Sequence, residues 1–116
     1  MEKFIYLFRG GDNHAHNAKD SKVAEANMKA WMDWMGSLAQ KGILAGGEPL
    51  QPTGMQISGK SKVVTDGPFI EAKEMVGGYL IINAKDIKEA AEISKGCPIF
   101  NENGKVEIRP IQKMEM

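Results

Sequence analysis

Apolar positions fall along this chain in blocks, and the period changes from one block to the next. Residues 4–8, FIYLF, are apolar without a break. In a strand, Phe4, Tyr6 and Phe8 point to one side and Ile5 and Leu7 to the other. A strand apolar on both faces predicts a sheet that is covered on both sides. After a polar loop at 9–19, RGGDNHAHNAK, the spacing becomes helical. Ala24, Met28, Trp31, Met35, Leu38 and Ala39 form one stripe, which Trp34 widens. This helix is expected to start at a cap on Asp20 or Ser21 and to end before Gly42.

The middle of the chain is punctuated differently. Gly46-Gly47, Pro49, Pro52 and Gly54 argue against a long helix over residues 43–62. Met55-Gln56-Ile57 alternates like a short strand, and Ser58-Gly59-Lys60 turns it back into residues 62–65 as a hairpin. Asp66-Gly67-Pro68-Phe69 is turn chemistry. Gly77-Gly78 then leads into Tyr79-Leu80-Ile81-Ile82, the clearest strand of the chain. Asp86 and Glu89 have the spacing of a capping box, opening a short helix that buries Ile87, Ala90, Ala91 and Ile93. Gly96-Cys97-Pro98 stops it. In KVEIRPIQ at 105–112, Val106 and Ile108 share one face, while Glu107, Arg109 and Ile111 share the other. Pro110 cannot donate to a ladder, which places this strand at an edge or ends it there.

The order strand, helix, strand or hairpin, strand, helix, strand predicts an α+β, ferredoxin-like β-α-β-β-α-β sandwich with an antiparallel sheet. Residues 1–116 read as one domain. Two helices cover one face of such a sheet. Phe4, Tyr6 and Phe8 are therefore expected to meet a second copy on the other face, forming a homodimer. Residues 63–82 would link two central strands.

Composition narrows the function classes. Fifteen basic and fifteen acidic residues balance, so the basic field of a direct nucleic-acid binder is missing. Nothing approaches the roughly 18 apolar residues that span a bilayer, and the start of the chain has no apolar leader core. A single cysteine, Cys97, leaves no intrachain disulfide. A soluble, cytoplasmic protein is expected.

Ionisable residues gather after the Asp-Gly-Pro-Phe turn, where Glu71, Lys73 and Glu74 follow Asp66. A carboxylate in a partly apolar cleft has the chemistry of a general base. Asp66 and Glu74 are the catalytic candidates on that ground; the alternative is that Asp66 only caps its turn. Arg109 suits an anionic group, or else an ion pair with Glu107. Tyr6, Glu71, Lys73 and Arg109 are the ligand-binding candidates. His14 and His16 alternate, as two metal ligands would, but no second motif completes a site, and no metal is expected. Cys97 reads as structural.

The segment TDGPFIEAKEMVGGY at 65–79 resembles the signature of the YCII-related family, in its DGPF-domain branch. FIYLFRG at 4–10, GGEPLQP at 46–52 and GKVEIRPI at 104–111 also resemble it, so the likeness spans nearly the whole chain. It implies a dimeric α+β barrel. It also implies relatives that act on aromatic-derived compounds without a cofactor, and a His–Asp site for which His14, His16 and Asp66 are available, with His16 and Asp66 as the catalytic candidates. The expected function is binding or conversion of a small organic-acid or aromatic metabolite. The alternative is a non-catalytic module associated with an alternative sigma factor.

Overall fold

The computed structural model describes residues 1–10, 21–67 and 74–114. Its elements run β1 (Glu2–Arg9), α1 (Ser21–Gln40), β2 (Leu44–Pro49), β3 (Gly54–Ser58), β4 (Val63–Gly67), β5 (Val76–Ala84), α2 (Ile87–Ser94), a 3-10 helix (Pro98–Glu102) and β6 (Lys105–Pro110). Four strands form one antiparallel sheet in the order β2-β5-β1-β6, and β3 and β4 form a separate hairpin. The architecture is ferredoxin-like, with the hairpin inserted between the second and third strands of that plan.

Sequence and structure agree on the helix ends. Beyond α1, Gly42 takes φ +74. Its N–H donates to the Ala39 carbonyl and that of Ile43 to Leu38, the paired bonds of a Schellman stop. The expected start at Asp20 lies outside the described residues. At α2, the Asp86 carboxylate accepts from the Glu89 N–H at 2.9 Å, and Glu89 accepts in turn from the Lys85 N–H at 3.1 Å. Of the residues expected on its buried side, Ala90 is fully buried, but Ile87 is 47% exposed. β6 is an edge strand, and Pro110 sits near its end opposite Phe4.

Two expectations are corrected. Phe4, Tyr6 and Phe8 face the helices rather than a second copy. Tyr6 stacks near Trp34 with ring centroids 6.4 Å apart, and Phe8 meets Trp31 edge-on at 4.9 Å. The Tyr6 hydroxyl donates to the Ala90 carbonyl of α2. Together with Leu38, Leu80, Ile82, Cys97 and Ile99 these rings make the core. The reason lies in α1, whose two tryptophans supply the aromatic surface that Tyr6 and Phe8 pack against. The outward row of the sheet is instead Ile5, Leu7, Tyr79 and Ile81, each partly buried in the single chain.

The second correction concerns residues 44–67. Leu44–Pro49 is a strand despite its two glycines, paired with β5 and bulged between Leu44 and Gly46. Gly47 lies opposite Leu80, and a Cβ there would overlap the Tyr79 carbonyl and the Leu80 side chain. The glycine is what lets β2 close on β5. As a result, residues 63–82 do not link two central strands: β4 belongs to the outlying hairpin and only β5 is central. Met55, Ile57 and Val64 share one face of that hairpin, exposed by 72%, 67% and 57%.

Candidate functional site

The residues singled out in the sequence do not converge. Asp66 is exposed at the end of the hairpin, opposite Met55. Arg109 lies on the outward row of β6, opposite Ile5. Tyr6 is sealed beneath α2, where burial holds its hydroxyl well above the usual phenol range, with a smaller contribution from Cys97. His14, His16, Glu71 and Lys73 lie outside the described residues.

Glu74 is at the mouth of β5, where it works as a fastener. Its carboxylate pairs with Lys105 at 2.7 Å, and its backbone carbonyl accepts from Arg9 at 2.7 Å. Arg9 also pairs with Glu107 at 3.0 Å. The cluster joins the starts of β5 and β6 to the end of β1. Both ion pairs are partly solvated, so each contributes roughly 0–1 kcal/mol.

A cavity of about 330 Å³ opens elsewhere, between α1 and the sheet. The helix contributes Ala24, Met28, Trp31, Met32 and Met35, all from the stripe face or its border. The sheet contributes Phe8, Leu80 and the glycine-rich backbone of β2 and β5, including Gly47 and Gly78. Met28 and Met32 are 56% and 62% exposed, which an apolar stripe closed fully on its own sheet would not show.

Glu102 completes the wall from the 3-10 helix. It is only 4% exposed, and its Oε2 accepts a long hydrogen bond, 3.4 Å, from the Trp31 Nε1–H. The helix that carries it is fixed at both ends: Pro98 opens it, and Asn103 closes it with φ +61. Gly104 follows, held so close to Ile99 and the Arg9 carbonyl that no side chain fits. Nearby Cys97 is buried, and desolvation, reinforced by the Glu102 charge, pushes its thiol up to about 12. It stays protonated and unreactive near neutral pH.

In the sequence, Trp31, Met28 and Met35 belong to the apolar stripe of a helix, which reads as packing, and nothing singles out Glu102. In the short run IFNENG no period marks its one acid, Glu102, as turning inward. Chemically, the cavity offers flat aromatic and thioether surface with one buried carboxylate. That suits binding a ring-sized molecule and orienting one polar substituent.

A family model, the YCII-related domain, matches residues 6–115. Among curated proteins, none matches the chain. Among solved structures, the chain is similar to 5-chloro-2-hydroxyhydroquinone dehydrochlorinase from Burkholderia phenoliruptrix AC1100, in complex with 2,5-dihydroxybenzoquinone. The two share 17% identity at a TM-score of 0.53, over 97% of this chain and 94% of that one. The likeness establishes the fold. No described helix is long and apolar enough to cross a membrane.

Proposed function

Because the chain belongs to the YCII-related family, we propose that it binds or converts a small organic-acid or aromatic metabolite, without a cofactor, in the cavity between α1 and the sheet. The observation that carries this reading is the cavity itself. Its volume of about 330 Å³ falls in the range of small-ligand sites, about 300–1,000 Å³. Its aromatic and methionine walls are what a planar apolar ligand requires. The dehydrochlorinase that shares the fold is complexed with a ring of this kind.

The reading includes a homodimer in the cytoplasm, paired through the outward row of the sheet into a dimeric α+β barrel. Ile5, Leu7, Tyr79 and Ile81 then bury against their counterparts, leaving each cavity on the helix side. A non-catalytic module associated with a sigma factor would have no use for the cavity, which is why the ligand reading is preferred. Asp66, Glu74 and Arg109 fall away from the cavity wall and are not needed for binding in it.

Ala24→Phe tests the site directly by filling the cavity from α1. A panel of small aromatics and organic acids is screened by ligand-observed NMR against the native chain and the variant. The native chain is expected to bind members of the panel, and the variant to lose at least about tenfold in affinity. Stability should change by less than about 1 kcal/mol, as for a side chain added at an open site. Undiminished binding by a folded variant would move the site elsewhere.

A further inference from the structure

Two of the methionines on the cavity wall stand half in solvent. Met28 and Met32, 56% and 62% exposed, lie one helical turn apart on α1 and line the cavity together. Met35, three residues further on, lines it too but is partly buried. A thioether open to solvent is open to peroxides. The chain's single thiol does not compete for them. Cys97 is only 3% exposed, and burial pushes its thiol up to about 12, so almost none is present as the reactive thiolate. An oxidant in solution therefore meets the wall of the cavity before it meets the cysteine.

We propose that Met28 and Met32 form an oxidation site through which a peroxide lowers the affinity of the cavity for apolar rings. A lone pair of each thioether sulfur attacks one oxygen of hydrogen peroxide, and the O–O bond breaks. The sulfur gains that oxygen and loses two electrons, and the other oxygen leaves as water. The product is a sulfoxide, a polar acceptor where the thioether was apolar. It holds water at the cavity wall and removes two of the contacts that a ring makes there. Enzymatic reduction of the sulfoxides restores both thioethers, so the change is reversible. Both residues lie on the helix side of the sheet and stay open when the outward row pairs. This inference concerns regulation of the proposed ligand site and rests on the cavity being that site.

Resorcinol titrations followed by tryptophan fluorescence test it, before and after exposure to hydrogen peroxide and removal of the oxidant. Peptide mass spectrometry locates each added oxygen. Native protein oxidised at Met28 and Met32 is expected to bind resorcinol about tenfold or more weakly, since thioether contacts with the ring are lost at two positions. Methionine sulfoxide reductase should return the affinity to its starting value. Met28→Leu/Met32→Leu keeps two apolar, helix-forming side chains but no oxidisable sulfur at these positions. Each protein is compared with its own untreated affinity, and in this variant the ratio should stay within about twofold. Native protein oxidised at both positions, folded by circular dichroism and binding as before, would overturn the proposal while leaving the cavity reading intact. So would an equal loss in the leucine variant, which would put the effect on another methionine. Peroxide that modifies Met1 and Met114, 88% and 82% exposed, yet spares Met28 and Met32 would overturn it as well. If untreated native protein does not bind resorcinol, the cavity reading fails and takes this inference with it.

Discussion

Gly47→Ala is expected to lower the unfolding midpoint by about 12 °C or more. A Cβ at this position would lie 2.9 Å from the Leu80 Cα, and closer still to the Leu80 side chain and the Tyr79 carbonyl. Because two of these neighbours are backbone atoms of the central strand β5, the overlap cannot be relieved by a rotamer change. Overpacking of this kind costs about 1–3 kcal/mol. The backbone adds strain, since Gly47 has φ +153, a conformation that costs a side-chain-bearing residue about 1–3 kcal/mol. A combined loss near 3 kcal/mol corresponds to about 12 °C in a domain of this size. Gly36→Ala is the matched control. Nothing lies within 4 Å of a Cβ there, and alanine in a helix is favoured over glycine by up to about 1 kcal/mol. The two variants should therefore shift the calorimetric midpoint in opposite directions. A drop below about 4 °C for Gly47→Ala would mean that β2 stands further from β5 than described.

Ile81→Asp is expected to convert a dimer into a folded monomer. Ile81 lies on the outward row of β5, paired with Ile5 on β1 and away from the helices. The single chain therefore tolerates a polar group there. In a sheet-to-sheet dimer the same position becomes the middle of the interface. An unpaired carboxylate buried there costs several kcal/mol, which raises the dissociation constant by more than about a hundredfold. The hairpin gives a second reason to expect a partner. Two strands alone are marginal in water, yet Met55, Ile57 and Val64 present an apolar face to solvent. Light scattering at micromolar concentration should give twice the 12.7 kDa chain mass for the native protein and 12.7 kDa for the variant. A native protein that scatters as a monomer would remove the dimer from the account.

The elements that repeat a period or carry a cap were legible in the sequence. The stripe from Ala24 to Leu38, the Gly42 stop, the Asp86–Glu89 box and the Pro110 edge all correspond to what the chain forms. Pairing of β3 with β4 was legible too, from alternation on either side of Gly59. What escaped reading depended on partners distant in sequence. Gly46-Gly47 looks like a breaker until Leu80 lies across from it, when the missing side chain becomes the condition for pairing. Both rows of β1 are apolar, one aromatic and one aliphatic, and the pattern of β1 alone does not say which faces inward. The aromatic surface of Trp31 and Trp34 makes the row of Tyr6 and Phe8 the inner one.

The candidate site was less legible than the fold. Density of ionisable residues pointed to the turn after Asp66, but Asp66 stands on the exposed hairpin and Glu74 ties strand ends together through Lys105. The cavity is built largely from residues that any reading assigns to packing. Its one buried acid lies in a 3-10 turn, too short to show a period. A cavity is a shortfall of volume between elements, and no local pattern records it.

The most direct measurement is a two-dimensional NMR titration of the labelled native chain with resorcinol. The account predicts that the Trp31 indole N–H signal and the methyl signals of Met28, Met32 and Met35 shift together and saturate along one binding curve. Signals of Ile5, Leu7 and Ile81, on the opposite face of the sheet, should stay in place. Shifts confined to that outward row, or no saturable shift at Trp31, would contradict the claim that the space between α1 and the sheet is the ligand site.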